Sequence, residues 1–159
     1  MNYTKDLKNL VAKTKGLKPA IEGVLFCNDK IVATDSFKLI EIEAEGDLIH
    51  IVPLSALKKG DTLSKGEGLN VNIVRTDGSV LTVEALPADD FPQYESILAD
   101  AEARTKTIIK VSRKHLIDLL TAMEPDAWDA LELHVSSEPN MPLLVKGKGC
   151  KGLLMPLTK

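Results

Sequence analysis

The chain has 159 residues, which is enough for one good hydrophobic core, or for one domain plus a fragment of a second. Hydrophobic residues make up 44% of it and charged residues 27%, which excludes a disordered chain, and no apolar run reaches the roughly 18 to 20 residues of a membrane-spanning helix. The net charge of −3 argues against a simple nucleic-acid binder, but residues 1–20 hold five lysines and one aspartate, so one surface can still be positive.

The cellular compartment is indicated by the opening residues and by the cysteines. MNYTKDLKNL lacks the apolar stretch of a signal peptide. Cys27 and Cys150 stand apart without CxxC spacing, as expected of thiols in a reducing compartment. We therefore expect a cytoplasmic protein with no membrane partner.

The first predicted element is a helix in YTKDLKNLVAKTKGLKP. Its features are Thr4 as the N-cap, an apolar face of Leu7, Leu10 and Val11, and an end at Gly16 and Pro19. Lys5, Lys8 and Lys13 fall on the opposite face, a pattern that is also typical of a solvated helix surface.

Strands are predicted next. IEGVLFCNDKIVATDSFKLIEIE is rich in β-branched and apolar residues and is broken at CNDK and TDS, which predicts about three short strands. LIHIVPLSALKKG predicts a strand that runs into a short helix, with Pro53 in its first turn and Lys58 and Lys59 near its end. LNVNIVRTDGSVLTVEAL alternates apolar and polar residues around Asp77-Gly78, which predicts a hairpin with one wet face.

The last third of the chain begins with ADAEARTK, which is predicted as a polar linker. TIIKVSRKHLIDLLTAM predicts a strand followed by a helix with Ser112 as its N-cap, Leu116, Leu119, Leu120 and Met123 facing inward, and Lys114 facing outward. ALELHVSSEPNMPLLVKGKGCKGLLMPL predicts about three further strands. Because Pro156 cannot donate to a sheet ladder, the last strand is expected at a sheet edge or leaving the sheet.

These elements follow one plan. A short helix and a few antiparallel strands recur three times, at a period of roughly 50 residues. The predicted fold class is therefore α+β, built from three α-β units.

Residue patterns that carry catalysis or bind metals are missing from the sequence. His50, His115 and His134 lack the spacing and the neighbouring cysteines of a zinc site, and GKGCKGLL lacks the residue order of a phosphate-binding loop. We expect no enzyme, no cofactor and no metal. A small hydrolase that uses Asp35 with His50 or His134 is an alternative, although an aspartate in a tight turn commonly accepts hydrogen bonds from its own backbone.

Four motifs, in order, resemble the bacterial sliding clamp, the beta subunit of the replicative DNA polymerase. TDSFKL at residues 34–39 is similar to the T-D-G-H-R-L-type turn of that family's middle domain, and HIVPLSAL resembles its next strand and helix. DFPQYESIL resembles the F-P-D-Y segment that ends the same domain, and LLMPL resembles the M-P-M-R-L with which clamps end.

The resemblance implies a domain organisation. Residues 1–98 would be one complete clamp-like domain of two α-β units related by a local two-fold axis, residues 99–105 a linker, and residues 106–159 half of a final clamp-like domain. On this resemblance, one complete domain and half of another domain of the family's chain have no counterpart in the sequence.

The resemblance also implies a peptide-binding pocket. In clamps the M-P segment helps to form a hydrophobic surface pocket that captures short peptides of polymerases and other partners. The matching positions are Ile21, Thr34, Ser36, Phe37, Lys38, Leu39, Pro92, Ser96, Ile97, Leu153, Met155, Pro156 and Leu157. Ser36, Phe37 and Lys38 replace the family's glycine, histidine and arginine, so we expect a different peptide specificity.

In clamps, helices line the central channel that holds DNA, so the resemblance implies that the lysines predicted on helices contact DNA. The implied contacts to DNA phosphates are Lys5, Lys8, Lys13, Lys59 and Lys114. The resemblance thus implies a processivity factor that encircles double-stranded DNA without sequence preference and tethers a DNA polymerase or another clamp-motif protein. The alternative is a clamp-mimicking adaptor or decoy, which binds clamp-interacting peptides or a clamp subunit without encircling DNA.

Assembly follows from counting. A clamp ring contains twelve α-β units, so chains with three units each would close it as a homotetramer. An odd number of units per chain makes neighbouring chains meet head-to-head and tail-to-tail, which gives D2 symmetry.

Overall fold

A computed structural model describes residues 1–3, 7–14, 16–105, 107–123, 131–138, 140–147 and 150–157. The chain divides into two compact units, the N-terminal unit Met1–Tyr94 and the C-terminal unit Glu95–Lys159. The domain bounds that the clamp resemblance implies stay a prediction.

The N-terminal unit consists mainly of short antiparallel strands. Its regular elements are β1 (Asn2–Tyr3), α1 (Pro19–Glu22), β2 (Gly23–Cys27), β3 (Lys30–Thr34), β4 (Leu39–Glu43), β5 (His50–Pro53), β6 (Asp61–Lys65), β7 (Asn70–Val74), β8 (Val80–Glu84) and β9 (Leu86–Pro87). They form two antiparallel sheets with the strand orders β1-β6-β7-β8 and β4-β3-β2-β5-β9. The 3₁₀ turns Leu54–Ala56 and Ala88–Asp90 follow β5 and β9. Few helices beside antiparallel sheets agree with the α+β class.

Both sheets of the N-terminal unit contribute to one hydrophobic core. Phe26 of β2, Leu63 of β6 and Ile73 of β7 are fully buried in it. Tyr3 of β1 packs edge-on against Phe26, with ring centroids 6.4 Å apart. Burying such side chains is the main favourable term in folding, so this core fixes the two sheets against each other.

The hairpins predicted in the N-terminal unit are confirmed. Asn28 and Asp29 join β2 to β3 with φ of 44° and 63°, in the left-handed region that these two residue types tolerate better than others. Gly78 turns the chain between β7 and β8 with φ of 83°, and the Asp77 carboxylate accepts a hydrogen bond from Ser79 N at 2.9 Å. Turn chemistry therefore sets the register of both hairpins.

The first predicted helix is wrong over the residues that the structure describes. Residues 7–14 form a turn and an irregular stretch, and helix begins only at α1. The expected N-cap, Thr4, lies outside the described residues. Likewise, the short helix predicted after β5 is a single 3₁₀ turn, Leu54–Ala56.

The apolar pattern was nevertheless informative. Leu7 and Val11 are buried as predicted, because a turn in which Leu10 N donates to Leu7 O at 2.8 Å already brings them to the core. Gly16, where the predicted helix was to end, has φ of 86°, the left-handed conformation that favours glycine. A turn therefore buries the same apolar residues whose spacing predicts a helix.

The C-terminal unit contains α2 (Glu95–Arg104), α3 (Arg113–Ala122), β10 (Glu132–His134), β11 (Leu143–Gly147) and β12 (Cys150–Leu154). The three predicted strands form an antiparallel sheet in the order β10-β11-β12, whereas residues 107–111, predicted as a strand, are not assigned as one. Residues 99–104 of the predicted linker belong to α2 instead. Their alanines and glutamate favour a helix without an apolar face, and Arg104 Nε donates to Asp100 Oδ1 at 2.8 Å, one turn away.

Helix α3 packs on the sheet of the C-terminal unit as predicted. The Ser112 hydroxyl caps it by accepting a hydrogen bond from His115 N at 3.3 Å. The residues predicted to face inward pack against Leu143, Val145 and Leu154; they are Leu116, Leu119, Leu120 and Met123. Gly152 allows the close approach, since a Cβ at this position would lie 2.5 Å from Leu119 Cδ1.

Strand β12 lies at a sheet edge and ends two residues before Pro156, as the proline predicted. In the described part of the chain, none of the helices combines the length and the apolar character needed to cross a membrane.

Candidate functional site

Two connections of the N-terminal unit border one groove. The first runs from β1 to β2 and the second from β5 to β6, and the groove has a volume of about 820 Å³. Four exposed lysines line it, two from each connection: Lys8, Lys13, Lys58 and Lys59. We refer to it as the lysine groove.

Three of the five lysines predicted to contact DNA therefore border one groove. Lys58 joins Lys8, Lys13 and Lys59 there; sequence reasoning missed Lys58 as a contact, although it adjoins Lys59. These side chains lie on turns and irregular connections, so the prediction that helices carry them is wrong. Lys114 is on α3 of the C-terminal unit as predicted, and Lys5 lies outside the described residues.

Two carboxylates, Glu22 and Glu84, also border the lysine groove. Glu22 holds the first connection, because its carboxylate accepts hydrogen bonds from Thr14 Oγ1 and from Gly16 N, the latter at 2.8 and 3.0 Å. These bonds, above all that from Thr14, lower the pKa of Glu22 below its ordinary value. Among the described residues that line the groove, four ammonium groups stand against two carboxylates, a positive balance that favours phosphate.

A buried ion pair holds the second connection. Asp61, which is 1% exposed, pairs through Oδ2 with Arg75 Nη1. The same Asp61 oxygen accepts Lys58 N at 2.6 Å, and Arg75 Nη2 donates to Ala56 O at 2.8 Å. The two charges therefore fix the backbone that carries Lys58 and Lys59.

Gly60 joins this connection to the sheet. Its N–H donates to Tyr3 O at 2.7 Å, and its φ of 97° lies in the region that favours glycine. A Cβ at this position would also lie 2.8 Å from Thr76 Cγ2. A glycine is thus required next to the lysines of the second connection.

A smaller hollow of about 470 Å³ in the N-terminal unit brings together part of the predicted peptide site. Of the predicted positions, Ile21, Ser36 and Pro92 line it. Leu86 and Asp90 also line it and were not predicted. The hollow offers apolar side chains beside one carboxylate, Asp90, and one lysine, Lys18, a combination suited to an apolar peptide side chain with a polar neighbour.

The TDSFKL turn borders this hollow through Ser36. Asp35 Oδ1 accepts hydrogen bonds from Phe37 N and Lys38 N, both at 3.0 Å, and Lys38 Nζ lies 2.6 Å from Asp35 Oδ2. The hydrogen bond from the Lys38 side chain, followed by that from Phe37 N, lowers the pKa of Asp35 to about 2. The carboxylate therefore stabilises the turn and is a poor general acid at neutral pH.

The turn also displays Phe37, whose side chain is 96% exposed. Ser36 has φ of 78°, and Thr34 Oγ1 both accepts from Ser36 N at 3.2 Å and donates to Lys38 O at 2.9 Å. These hydrogen bonds hold the turn without using the Phe37 side chain, which therefore stays at the surface.

The predicted peptide-binding positions divide between the two units. Ile21, Thr34, Ser36, Phe37, Lys38, Leu39 and Pro92 belong to the N-terminal unit, and Ser96, Ile97, Leu153, Met155, Pro156 and Leu157 belong to the C-terminal unit. Ile97, Leu153, Met155 and Leu157 are between 57% and 69% exposed. Pro156 and Leu157 border a hollow of about 610 Å³ in the C-terminal unit.

The described residues give no geometric support to the hydrolase alternative. His50 is buried on β5, and its Nδ1 has no hydrogen-bond partner among them. His134 Nε2 lies 2.7 Å from Glu132 Oε2, and the hydrogen bond from His134 lowers the pKa of Glu132. No group of three or more His, Cys, Asp or Glu residues suited to a metal ion occurs in the ranges that the structure describes.

Comparisons of the chain with protein-family models, with curated proteins and with solved structures find no match.

Proposed function

We propose that the chain is a sliding-clamp-like processivity factor. In this role it encircles double-stranded DNA without sequence preference and holds a DNA polymerase or other clamp-motif proteins by short peptides. The role needs no catalysis, cofactor or metal, and four chains close the ring.

This proposal rests mainly on the strand pairing between two halves of the N-terminal unit, in which the first strand of each half pairs with a strand of the other half. The first half is β1, a connection and the meander β2-β3-β4, and the second is β5, a connection and β6-β7-β8. Strand β1 pairs with β6 of the second half, and β5 pairs with β2 of the first. If the two halves are interchanged, the β1-β6 pairing takes the place of the β5-β2 pairing. The meander β2-β3-β4 likewise takes the place of the meander β6-β7-β8.

Two repeats related by a local two-fold axis produce this pairing pattern. Such a pair of α-β units is what the clamp resemblance implies for the first domain. The two connections that interchange with the halves are also those that carry Lys8, Lys13, Lys58 and Lys59. In the proposed ring these connections face the DNA, in the position that helices have in the clamp family.

The peptide surface is proposed at the exposed apolar positions. The hollow lined by Ile21, Ser36 and Pro92, with Phe37 beside Ser36 in the chain, offers one anchor point, and Met155 and Leu157 offer another. Exposed aliphatic and aromatic side chains of this kind are the anchors that short peptides use.

Topological retention tests the ring. A ring slides off linear DNA but stays on closed circles at a salt concentration that disrupts phosphate contacts. We expect the chain, with a clamp loader where loading requires one, to remain on circular duplex and to leave it once a nuclease linearises the circle. The control is Lys13→Glu with Lys59→Glu, which should lower loading while leaving the fold intact.

The adaptor or decoy is the second candidate function. Exposed Leu153, Met155 and Leu157 favour it, because a clamp subunit or its peptides could cover them. An adaptor would dissociate from circular DNA as readily as from linear DNA. Light scattering would show that it binds a bacterial clamp or its partner peptides. Retention on circles only would reject the adaptor.

A further inference from the structure

We propose that the C-terminal unit pairs with a second copy of itself by strand exchange. Residues 107–111 of each copy pair antiparallel with β10 of the other. The inference rests on the proposed function only in that a ring of four chains needs such a junction; its evidence is the strand pairing.

The C-terminal unit has the parts of one half of the N-terminal unit. In the second half of the N-terminal unit, the chain after the last meander strand returns as β9 and pairs with β5, Leu86 opposite Ile51. In the C-terminal unit, the chain after β12 returns in the same way, and Leu157 N donates to Lys110 O at 2.7 Å. Residues 107–111 therefore correspond to β5, α3 to the connection, and β10-β11-β12 to the meander.

One pairing of that plan is missing among the described residues of the C-terminal unit. In the N-terminal unit the other side of β5 pairs with β2 over four residue pairs, and every residue of β2 is buried. Strand β10 corresponds to β2, but it is the edge of its sheet, and all three of its residues are exposed. An open strand edge of this kind is a template for another strand.

Residues 107–111 have the side-chain pattern of the missing strand. Ile109 and Val111 are half-buried against the core, whereas Ile108 is 82% exposed and Lys110 is exposed. This alternation is that of a half-buried strand. Lys110 O is already used by Leu157, so the backbone groups of residues 109 and 111 face the opposite side, where β2 pairs in the N-terminal unit.

The core of the C-terminal unit is open next to β10. Leu133 of β10 pairs with Val145 of β11, so their side chains share the face of the sheet on which α3 packs. Val145 is fully buried, yet Leu133 is 59% exposed. In the exchanged arrangement Ile109 or Val111 of the second copy lies opposite Leu133 and covers it.

Two identical contacts form at once in such a dimer. Each copy gives one strand and receives one, so the contact is isologous and closes without leaving a free edge at β10. A second copy is therefore the occupant that fits both open edges.

Light scattering and amide hydrogen exchange on the full chain test the pairing. We expect a particle of at least twice 17.3 kDa at micromolar concentration, with the amides of residues 109 and 111, and those of β10 that face away from β11, protected and losing protection on dilution. Leu133→Glu should raise the dissociation constant at least about tenfold, because pairing would bury an unpaired charge. The matched control is Leu17→Glu in the N-terminal unit, at 85% exposure and outside the predicted peptide site, which should leave the mass unchanged.

The outcomes separate this inference from the proposed function. A dimer that is sensitive to Leu133→Glu but does not stay on circular DNA supports strand exchange and rejects the ring. A wild-type monomer at this concentration overturns the inference, as does an oligomer whose amides at residues 109 and 111 exchange as fast as exposed loops. Should Leu133→Glu prove unfolded by circular dichroism, the exchange pattern of the wild type decides alone.

Discussion

Arg75, just after β7, forms an ion pair with Asp61 at the start of β6, and both side chains are largely withdrawn from solvent. Both partners also hold backbone in the preceding connection, Asp61 at Lys58 N and Arg75 at Ala56 O. The pair is therefore a structural support for two of the four lysines in the groove. Buried charges of this kind are costly when one partner is lost, because the other remains without compensation.

Replacing Arg75 by methionine should lower the free energy of unfolding by about 3–5 kcal/mol, since the Asp61 carboxylate is left buried and unpaired. Urea denaturation followed by circular dichroism measures the loss. The control is Arg104→Met, which breaks the exposed pair between Arg104 and Asp100 and should cost at most about 1 kcal/mol. Similar losses in both variants would contradict the supporting role of the buried pair.

Replacing Lys13 and Lys59 by glutamate should weaken binding to duplex DNA of any sequence. If each lysine neutralises one phosphate, the slope of log K against log salt should fall by about 0.9 for each lysine removed. Fluorescence anisotropy on duplexes of two unrelated sequences, over a salt series, measures both effects. The control variant, Lys65→Glu with Lys151→Glu, makes the same change in net charge at two exposed strand positions outside the lining of the groove, and it should have a smaller effect.

An equal loss in the control variant, which makes the same change in net charge, would show that net charge governs binding and that the lysine groove does not. Unchanged binding in the double variant would show that these lysines are only solvated charge. Both outcomes would remove the DNA contacts from the proposed function.

The elements predicted correctly are those whose signals are local. Asn28 and Asp29 can take up left-handed φ within the turn itself, and Ser112 caps α3 within one turn of the chain. Such residues determine structure with little help from the rest of the fold. The hairpins and α3 were therefore readable from sequence.

The errors arose where local signals were ambiguous. Leu7, Leu10 and Val11 fit a helix, but a single turn buries Leu7 and Val11 equally well. Helix α2 was missed for the opposite reason: it lacks an apolar stripe, so hydrophobic periodicity gave no signal, although its alanines favour a helix.

The candidate site was only partly predictable. Lys13 and Lys59 are far apart in sequence, and only strand pairing between the two halves brings their connections to one groove. No local pattern links Asp61 to Arg75 either, because the loops and strands between them set their distance. The resemblance to clamps predicts which lysines contact DNA, but it does not predict the tertiary contacts that hold the backbone of these lysines.

The TDSFKL turn should respond to acid through Asp35. Its pKa is lowered from 3.8 to about 2 in the folded chain, so the stabilisation that it gives is present above about pH 4 and is lost as the pH falls toward 2. NMR titration of the carboxyl carbon should give a midpoint near 2. Asp35→Asn should speed the exchange of the Phe37 and Lys38 amides at neutral pH, whereas the Ser79 amide, bound to Asp77, serves as the unaffected control. A midpoint near 4 would mean that the hydrogen bonds to Asp35 do not persist in solution.

The terminal segment should contribute to peptide binding through Met155 and Leu157. Both side chains are more than half exposed, so Met155→Ala with Leu157→Ala should keep the fold while removing two apolar anchors. We expect affinity to fall by about 1–3 kcal/mol for a peptide that carries glutamine followed by spaced leucine and phenylalanine, as truncation of interface anchors does. Isothermal titration calorimetry measures the change, and Leu17→Ala, at a position 85% exposed and outside the predicted site, is the control. Unchanged affinity in a correctly folded double variant would remove the terminal segment from the site, and an equal loss in Leu17→Ala would reduce the binding to general hydrophobic adhesion.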